Sequence, residues 1–204
     1  MNPFIVYALP RSRTAWMAQF LSYGSYRCGH EQAIFLRDVM DIPRLLRMPF
    51  TGVVETAAAQ GWRVIRHHVP EIKQVVIRRP LQDVYDAMLN VDLHGYATYD
   101  KDRLWKAMAY GNRMLDEISA LPDTLTLDFS DLDTREGCKT LFEFCLPYQF
   151  EDWWWEDLKT RNIQVSVPEY IQYYHEHKAD IDSFKRKMWQ ELRYLAKSGQ
   201  ITRH

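Results

Sequence analysis

Apolar residues along the chain form short continuous runs that alternate with stretches of helical spacing. The runs within 3–9 and 73–77 are apolar at consecutive positions, which is typical of strands buried on both faces of a parallel sheet. Between them, segment 14–24 has apolar residues at helical spacing and ends at Gly24, a common helix stop. The pattern therefore predicts that the chain begins with a strand, a tight loop and a helix.

The same pattern continues to the end of the chain. Further strands are predicted over 26–29, 52–55 and 124–128, and further helices over 34–47 (interrupted by Pro43), 57–61, 81–93, 102–121, 136–145 and 168–196. Strands that alternate with helices indicate a three-layer α/β domain with a mostly parallel central sheet. No repeat or linker divides the chain, so residues 1–204 are predicted to form one domain with a helical C-terminal part over 148–204. Ligands of such sheets bind beyond the carboxyl ends of the strands.

Composition narrows the classes of function. The 26 Lys and Arg residues nearly cancel the 27 Asp and Glu residues, so no nucleic-acid partner is expected. The chain contains only 8 glycines, which argues against a glycine-rich nucleotide loop. No apolar run approaches the roughly 20 residues that cross a bilayer. Three cysteines without a CxxC pair, and a start without the features of a signal peptide, predict a cytoplasmic location.

The strongest chemical signal is LPRSRTAW at 9–16. A strand that breaks into a basic, hydroxyl-bearing turn and opens a helix presents backbone N–H groups to an anion, and the side chains of Arg11, Ser12 and Thr14 add donors. The alternative interpretation is an ordinary helix start capped by Ser12. The loop is not of the GxxxxGK[ST] type, because both glycines and the lysine are missing.

A second signal is VVIRRPLQDV at 75–84. Arg78 and Arg79 end a buried strand, at the edge of the sheet where ligands bind. A single arginine there is often part of a structural ion pair. A pair beside a second anion-binding loop favours contact with a bis-phosphorylated ligand.

These segments resemble the sulfotransferases that use 3′-phosphoadenosine 5′-phosphosulfate (PAPS). The family's PRSGT or PKSGT loop is matched by residues 10–14, its 3′-phosphate arginine and following proline by Arg78 and Pro80, and its late strand, turn and helix by 125–147. The three matches agree in order and span about 3–147. The resemblance implies a P-loop-like fold and PAPS as co-substrate with no metal. The implied PAPS contacts are Arg11, Ser12, Arg13, Thr14, Ala15 and Arg78.

The chain departs from the family at two of these places. Arg13 stands where the family usually has glycine, and Asp86 lies near its usual serine in the helix after Arg78. An aspartate there would repel a phosphate. A late basic loop of the family corresponds to Arg161.

The same resemblance indicates which residues are candidates for the base that would activate the acceptor. Segment 26–31 is similar to the part of tyrosylprotein and bacterial sulfotransferases that carries a glutamate base, which makes Glu31 the first candidate and His30 its neighbour. Cytosolic relatives use a histidine between the two phosphate elements, which would be His67 or His68. Glu55 is a further candidate.

Two other functions remain open at this stage. One is a non-catalytic protein that binds a nucleotide or a partner on the same fold, and the other is a small nucleotide or nucleoside kinase. The sequence does not identify the acceptor of a sulfotransferase. Carbohydrate, peptide tyrosine, lipid and small-molecule hydroxyls all fit as acceptors. The tryptophans at 153–155 are expected to pack a helix onto the core, although stacking on an adenine is an alternative.

Overall fold

The protein is built around a five-stranded parallel sheet. A computed structural model describes residues 2–91, 100–164 and 167–201. The strands are β1 (Phe4–Ala8), β2 (Arg27–His30), β3 (Thr51–Glu55), β4 (Lys73–Arg78) and β5 (Thr124–Asp128), in the spatial order β2-β3-β1-β4-β5. Each neighbouring pair is parallel. The α/β fold with a parallel central sheet is therefore confirmed.

Helices connect the strands and cover both faces of the sheet. They are α1 (Thr14–Phe20), α2 (Asp41–Leu46), α3 (Trp62–His68), α4 (Leu81–Leu89), α5 (Lys101–Ser119), α6 (Arg135–Cys145), α7 (Asp152–Lys159), α8 (Val167–Glu176) and α9 (Lys178–Lys197). Short 3-10 turns lie at Gln32–Phe35, Ala58–Gly61 and Phe129–Asp133. No helix of the described residues is long and apolar enough to span a membrane.

The sheet separates two apolar cores. All five residues of β1 are buried, with Phe4 and Val6 in one core and Ile5 and Tyr7 in the other. The first core is completed by residues of α1, α6 and α7, and the second by residues of α2, α3 and α5. This two-sided burial explains why β1 is apolar at consecutive positions.

Helix α7 is held against α1 by tryptophans. Trp155 is buried, and the Nε1 atom of Trp154 donates to the carbonyl oxygen of Phe20 at 2.9 Å. From the other side, Nε1 of Trp16 donates to the carbonyl oxygen of Leu158 at 3.1 Å. The expectation that these tryptophans pack a helix onto the core is met for Trp154 and Trp155, whereas Trp153 is 59% exposed. The bonds between α7 and α1 fix the segment after α7 near the start of α1.

The hydrogen bond of Trp154 provides a stability test. Trp154→Phe is expected to lower the free energy of unfolding by about 1 kcal/mol, because the bond is lost while most of the aromatic packing remains. Urea unfolding measures the change. Trp153→Phe is the matched control, since the Trp153 side chain is 59% exposed, and it should leave the unfolding midpoint nearly unchanged. An equal effect of both variants would contradict the docking role of Trp154.

Several predicted elements differ from the structure. The helix predicted over 57–61 is a 3-10 turn, and α3 follows it over a segment that the pattern left unassigned. The segment 34–47 forms a 3-10 turn and the short α2 in place of a longer helix. The stretch 168–196, predicted as one or two long helices, forms the two helices α8 and α9. The end of the helix predicted over 81–93 lies partly outside the described residues.

Candidate functional site

A cavity of about 550 Å³ opens at the carboxyl edge of the sheet. The loops that follow β1, β2, β3 and β5 all contribute to it, as expected for a parallel sheet. Its lining residues are Pro10, Arg11, Arg13, Thr14, Ala15, Trp16, His30, Glu31, Thr56, Met88, Val91, Leu132, Asp133, Trp155, Lys159, Arg161, Asn162, Ile163 and Gln164. The structure thus brings the basic loop and the first base candidate into one cavity.

The basic loop has an unusual backbone. Arg11 and Arg13 adopt left-handed φ angles of 62° and 58°, a region that side chains rarely occupy. Ser12 between them is fully buried, is not among the lining residues, and its Oγ has no hydrogen-bond partner among the described residues. The residue that caps α1 is Arg13, without a side-chain bond, so the alternative of a helix start capped by Ser12 is wrong. The hydroxyl-bearing residue of this loop that lines the cavity is Thr14.

Arg13 is anchored at the side of the cavity. Its Nη1 atom lies 2.6 Å from Oδ1 of Asp133, and its guanidinium lies over the ring of Phe129 at 5.4 Å from the centroid. Arg79 also lies over Phe129, at 4.5 Å, and donates to the carbonyl oxygen of Arg11. The 3-10 turn after β5 thereby holds the loop after β1 in place.

His30 and Glu31 stand at the end of β2. Nε2 of His30 lies 2.9 Å from Oγ1 of Thr14 and 3.8 Å from Oε1 of Glu31. Burial lowers the pKa of His30, so its ring is neutral at physiological pH. The imidazole therefore contacts the basic loop through Thr14 and lies next to the carboxyl group of Glu31.

Glu31 is a buried carboxyl group in which one of the two oxygens has no hydrogen-bond partner among the described residues. The residue is 5% exposed, Oε1 accepts from the backbone N–H of Thr56 at 3.2 Å, and Oε2 has no partner among the described residues. Burial raises the pKa of Glu31 to about 7, although the hydrogen bonds from Thr56 oppose the shift. A carboxyl group with this pKa can take up a proton near neutral pH, which is what a general base requires.

Glu55 is a second buried carboxyl group beside the first. It is 2% exposed and its Oε1 accepts from the backbone N–H of Ala33 at 2.9 Å. Burial, together with the charge of Glu31, raises the pKa of Glu55 well above its usual range. Glu55 does not line the cavity that contains Glu31.

Other predicted site residues lie outside this cavity. Arg78 is bound by α5: its Nη2 lies 2.6 Å from Oδ1 of Asp116. Asp86 is exposed on α4 and accepts from Gln82 at 2.8 Å. Neither is among the cavity's lining residues.

The two histidines of α3 lie far from the loop. His67 and His68 end α3 just before β4, at the edge of the sheet opposite the carboxyl ends of the strands, and Nε2 of His68 lies 3.1 Å from Oε1 of Glu191. Arg161 lines the cavity, with Nη2 at 2.6 Å from Oδ2 of Asp157. The structure therefore groups Arg161 with the loop and separates His67 and His68 from it.

Sequence reasoning missed several polar residues of the cavity, and three of them make contacts with named partners. Thr56 supplies the hydrogen bond to Glu31, Asp133 pairs with Arg13, and Lys159 lies over the ring of Trp155 at 4.3 Å. Only Thr56 could have been found, because it directly follows a predicted strand. No group of three or more His, Cys, Asp or Glu side chains suited to a metal ion occurs within 2–91, 100–164 and 167–201.

Among known proteins, only structures give a match. No family model matches the chain, and no curated sequence matches it. The structure is similar to that of mouse sulfotransferase SULT7A1 complexed with PAP, with a TM-score of 0.53 and 14% sequence identity. The chain has a sulfotransferase-like fold. The likeness covers 77% of this chain and 63% of that sulfotransferase, so the chain spans less than two thirds of its length. At this identity the likeness is one of fold alone.

Proposed function

We propose that the protein transfers a sulfuryl group from PAPS to a hydroxyl group of an acceptor. One observation carries this proposal: a basic loop and a buried carboxyl group with an unpartnered oxygen line the same cavity, at the carboxyl edge of a sulfotransferase-like sheet. The neighbour was crystallised with PAP, the bisphosphate that remains when PAPS loses its sulfuryl group. The volume of about 550 Å³ lies in the range of small-molecule and cofactor sites.

The cations of the cavity would bind the negative charge of the donor. Arg11 and Arg161 line the cavity, and Thr14 adds a hydroxyl and the backbone N–H at the start of α1. Charge-assisted hydrogen bonds from such groups are the strongest that a protein offers to a phosphate or sulfate. They would also stabilise the charge that develops on the leaving group during transfer.

Glu31 would act as the general base. The acceptor's hydroxyl oxygen forms the new bond to sulfur, the bond from sulfur to the bridging oxygen of the phosphosulfate breaks, and Glu31 takes the hydroxyl proton. PAP leaves with the electron pair of the broken bond. The neutral imidazole of His30, bonded to Thr14 and 3.8 Å from Glu31, would keep the carboxyl group beside the loop. Glu31 then releases its proton to solvent.

Two ion pairs favour a second candidate function. Asp133 binds Arg13 at 2.6 Å, and Asp116 binds Arg78 at 2.6 Å outside the cavity lining. A protein that binds a nucleotide without transferring a group would tolerate both pairs. This candidate predicts binding of PAP and no sulfated product with any acceptor.

Binding of PAP tests the role of the loop. Isothermal titration calorimetry is expected to show that PAP binds the intact protein and that Arg11→Ala weakens it by about ten-fold or more, because a charge-assisted hydrogen bond contributes about 1.5–3 kcal/mol. Arg44→Ala is the matched control, since that side chain is 76% exposed on α2. Absence of PAP binding, or equal binding by both variants, contradicts the proposal. Preferred binding of ATP with magnesium would point to the kinase alternative.

The place of Arg78 is tested in the same titrations. If Arg78 leaves Asp116 to bind the 3′-phosphate, Arg78→Ala weakens the binding of PAP by about ten-fold. The binding of AMP, which lacks that phosphate, is then unchanged. Equal losses for PAP and AMP would show that Arg78 serves only the ion pair with Asp116.

A further inference from the structure

A second cavity, of about 220 Å³, lies next to the first and shares no lining residue with it. Ile5 and Val53 of the sheet line it from one side, and α2, α3 and α9 supply most of the remaining wall. The lining is almost entirely apolar and includes Leu36, Ile42, Leu46, Ile65, Phe184 and Met188. Such a lining matches the usual character of small-molecule sites, which are apolar with a few placed polar groups.

Glu55 is the buried polar residue of this cavity. It lines the cavity at the end of β3 and is 2% exposed, with Oε1 bonded to the N–H of Ala33. No described residue offers a hydrogen-bond partner to Oε2. A buried carboxyl oxygen without a partner is costly, and glutamate is almost never buried unless it is paired. The oxygen is therefore a contact point for a ligand.

The state of the Glu55 carboxyl group restricts what that ligand can be. Burial and the neighbouring charge of Glu31 raise the pKa of Glu55, which favours the protonated carboxyl form, and that form can donate a hydrogen bond. A carboxylate ligand would place a further negative charge beside Glu31. A cationic ligand would have to bury its charge in a mostly apolar cavity, which is costly. Charge thus favours a neutral ligand with an oxygen acceptor.

We infer that this second cavity binds a neutral, mostly apolar small molecule that carries one carbonyl or hydroxyl oxygen, with Glu55 as its hydrogen-bond donor. An apolar cavity of about 150 Å³ holds benzene, so 220 Å³ suits a substituted single ring. The exposed side chains of Gln60 and Trp189 lie among the lining residues and mark its mouth. The site is a separate cavity from the one proposed for sulfuryl transfer.

Three ring compounds that differ in one group test the inference. Menthone is a neutral ketone, menthylamine is its cationic counterpart, and p-menthane-3-carboxylate is anionic. Calorimetry is expected to show saturable binding of menthone to the intact protein, with at least ten-fold weaker binding of both charged compounds. Menthone should also raise the melting temperature. No saturable binding of menthone, or tighter binding of either charged compound, overturns the inference.

Variants then locate the site. Ala58→Phe fills the cavity and is expected to weaken the binding of menthone at least ten-fold. Ala179→Phe places the same side chain on the exposed face of α9 and should leave the binding of menthone unchanged. Glu55→Met removes the donor and is expected to weaken menthone about ten-fold, while Glu55→Gln keeps an N–H donor and should retain binding. If Glu55→Met does not fold, the comparison of Ala58→Phe with Ala179→Phe decides. Equal binding by those two variants overturns the assignment.

Discussion

Glu31→Gln is expected to lower the rate of sulfuryl transfer by about a hundred- to ten-thousand-fold, the usual contribution of a general base. Glutamine keeps the size of the side chain and an oxygen for the N–H of Thr56, so the cavity and PAP binding should be preserved. Transfer of labelled sulfate from PAPS to a panel of carbohydrate, tyrosyl-peptide, lipid and small-molecule hydroxyls measures the rate. Calorimetry with PAP measures binding.

The pH profile distinguishes a base from a residue that only shapes the cavity. A base acts when it is deprotonated, and burial raises the pKa of Glu31 to about 7. The wild-type kcat/KM should therefore rise with pH through about 7 and level off above it, and the residual activity of Glu31→Gln should lack this rise. Glu71→Gln, on an exposed residue paired with Arg47, is the matched control. Loss of activity in His68→Gln with full activity in Glu31→Gln would show that the base is misassigned.

The strands and the basic loop were predictable because their signals are local. β1 and β4 are buried on both faces, and a run of apolar residues is sufficient to show it. The loop at 10–14 follows β1 directly, so its position at the carboxyl edge is a consequence of sheet topology. The same reasoning brings Glu31 to that edge, since it follows β2.

Features that depend on distant partners were not predictable. Arg78 ends β4 as expected, but its ion pair is with Asp116, 38 positions later on α5. At Arg13, an unfavourable backbone conformation is combined with side-chain contacts to distant residues. It adopts φ 58°, a region that favours glycine, which accounts for the glycine that the resembling family has there. The strain of about 1–2 kcal/mol is opposed by contacts with Asp133 and Phe129, which belong to the 3-10 turn after β5, far from Arg13 in the sequence.

The free energy of unfolding is expected to fall, relative to that of Glu31→Gln, as pH rises from about 4 to 8. Glu31 has an ordinary pKa of 4.5 in the unfolded chain and a pKa of about 7 in the folded protein. Between these values the folded state binds more protons, so its advantage is complete at low pH and is lost as pH rises toward 7. A shift of this size corresponds to about 3 kcal/mol.

Urea unfolding of the wild type and of Glu31→Gln at a series of pH values measures this difference, and subtraction removes the contributions of titrating groups that do not interact with Glu31. Glu55 does interact with Glu31, so the difference reports the two neighbouring carboxyl groups together. Relative to Glu55→Gln, the wild-type free energy of unfolding should also fall as pH rises, because burial also raises the pKa of Glu55 above its usual range. Glu71→Gln, whose side chain is 44% exposed, should parallel the wild type at every pH. A difference between the wild type and Glu31→Gln that does not change with pH would mean that Glu31 ionises as easily in the folded protein as in water. Glu31 would then lack the proton affinity that the proposed base requires, so the stability measurement and the rate profile test the same carboxyl group independently.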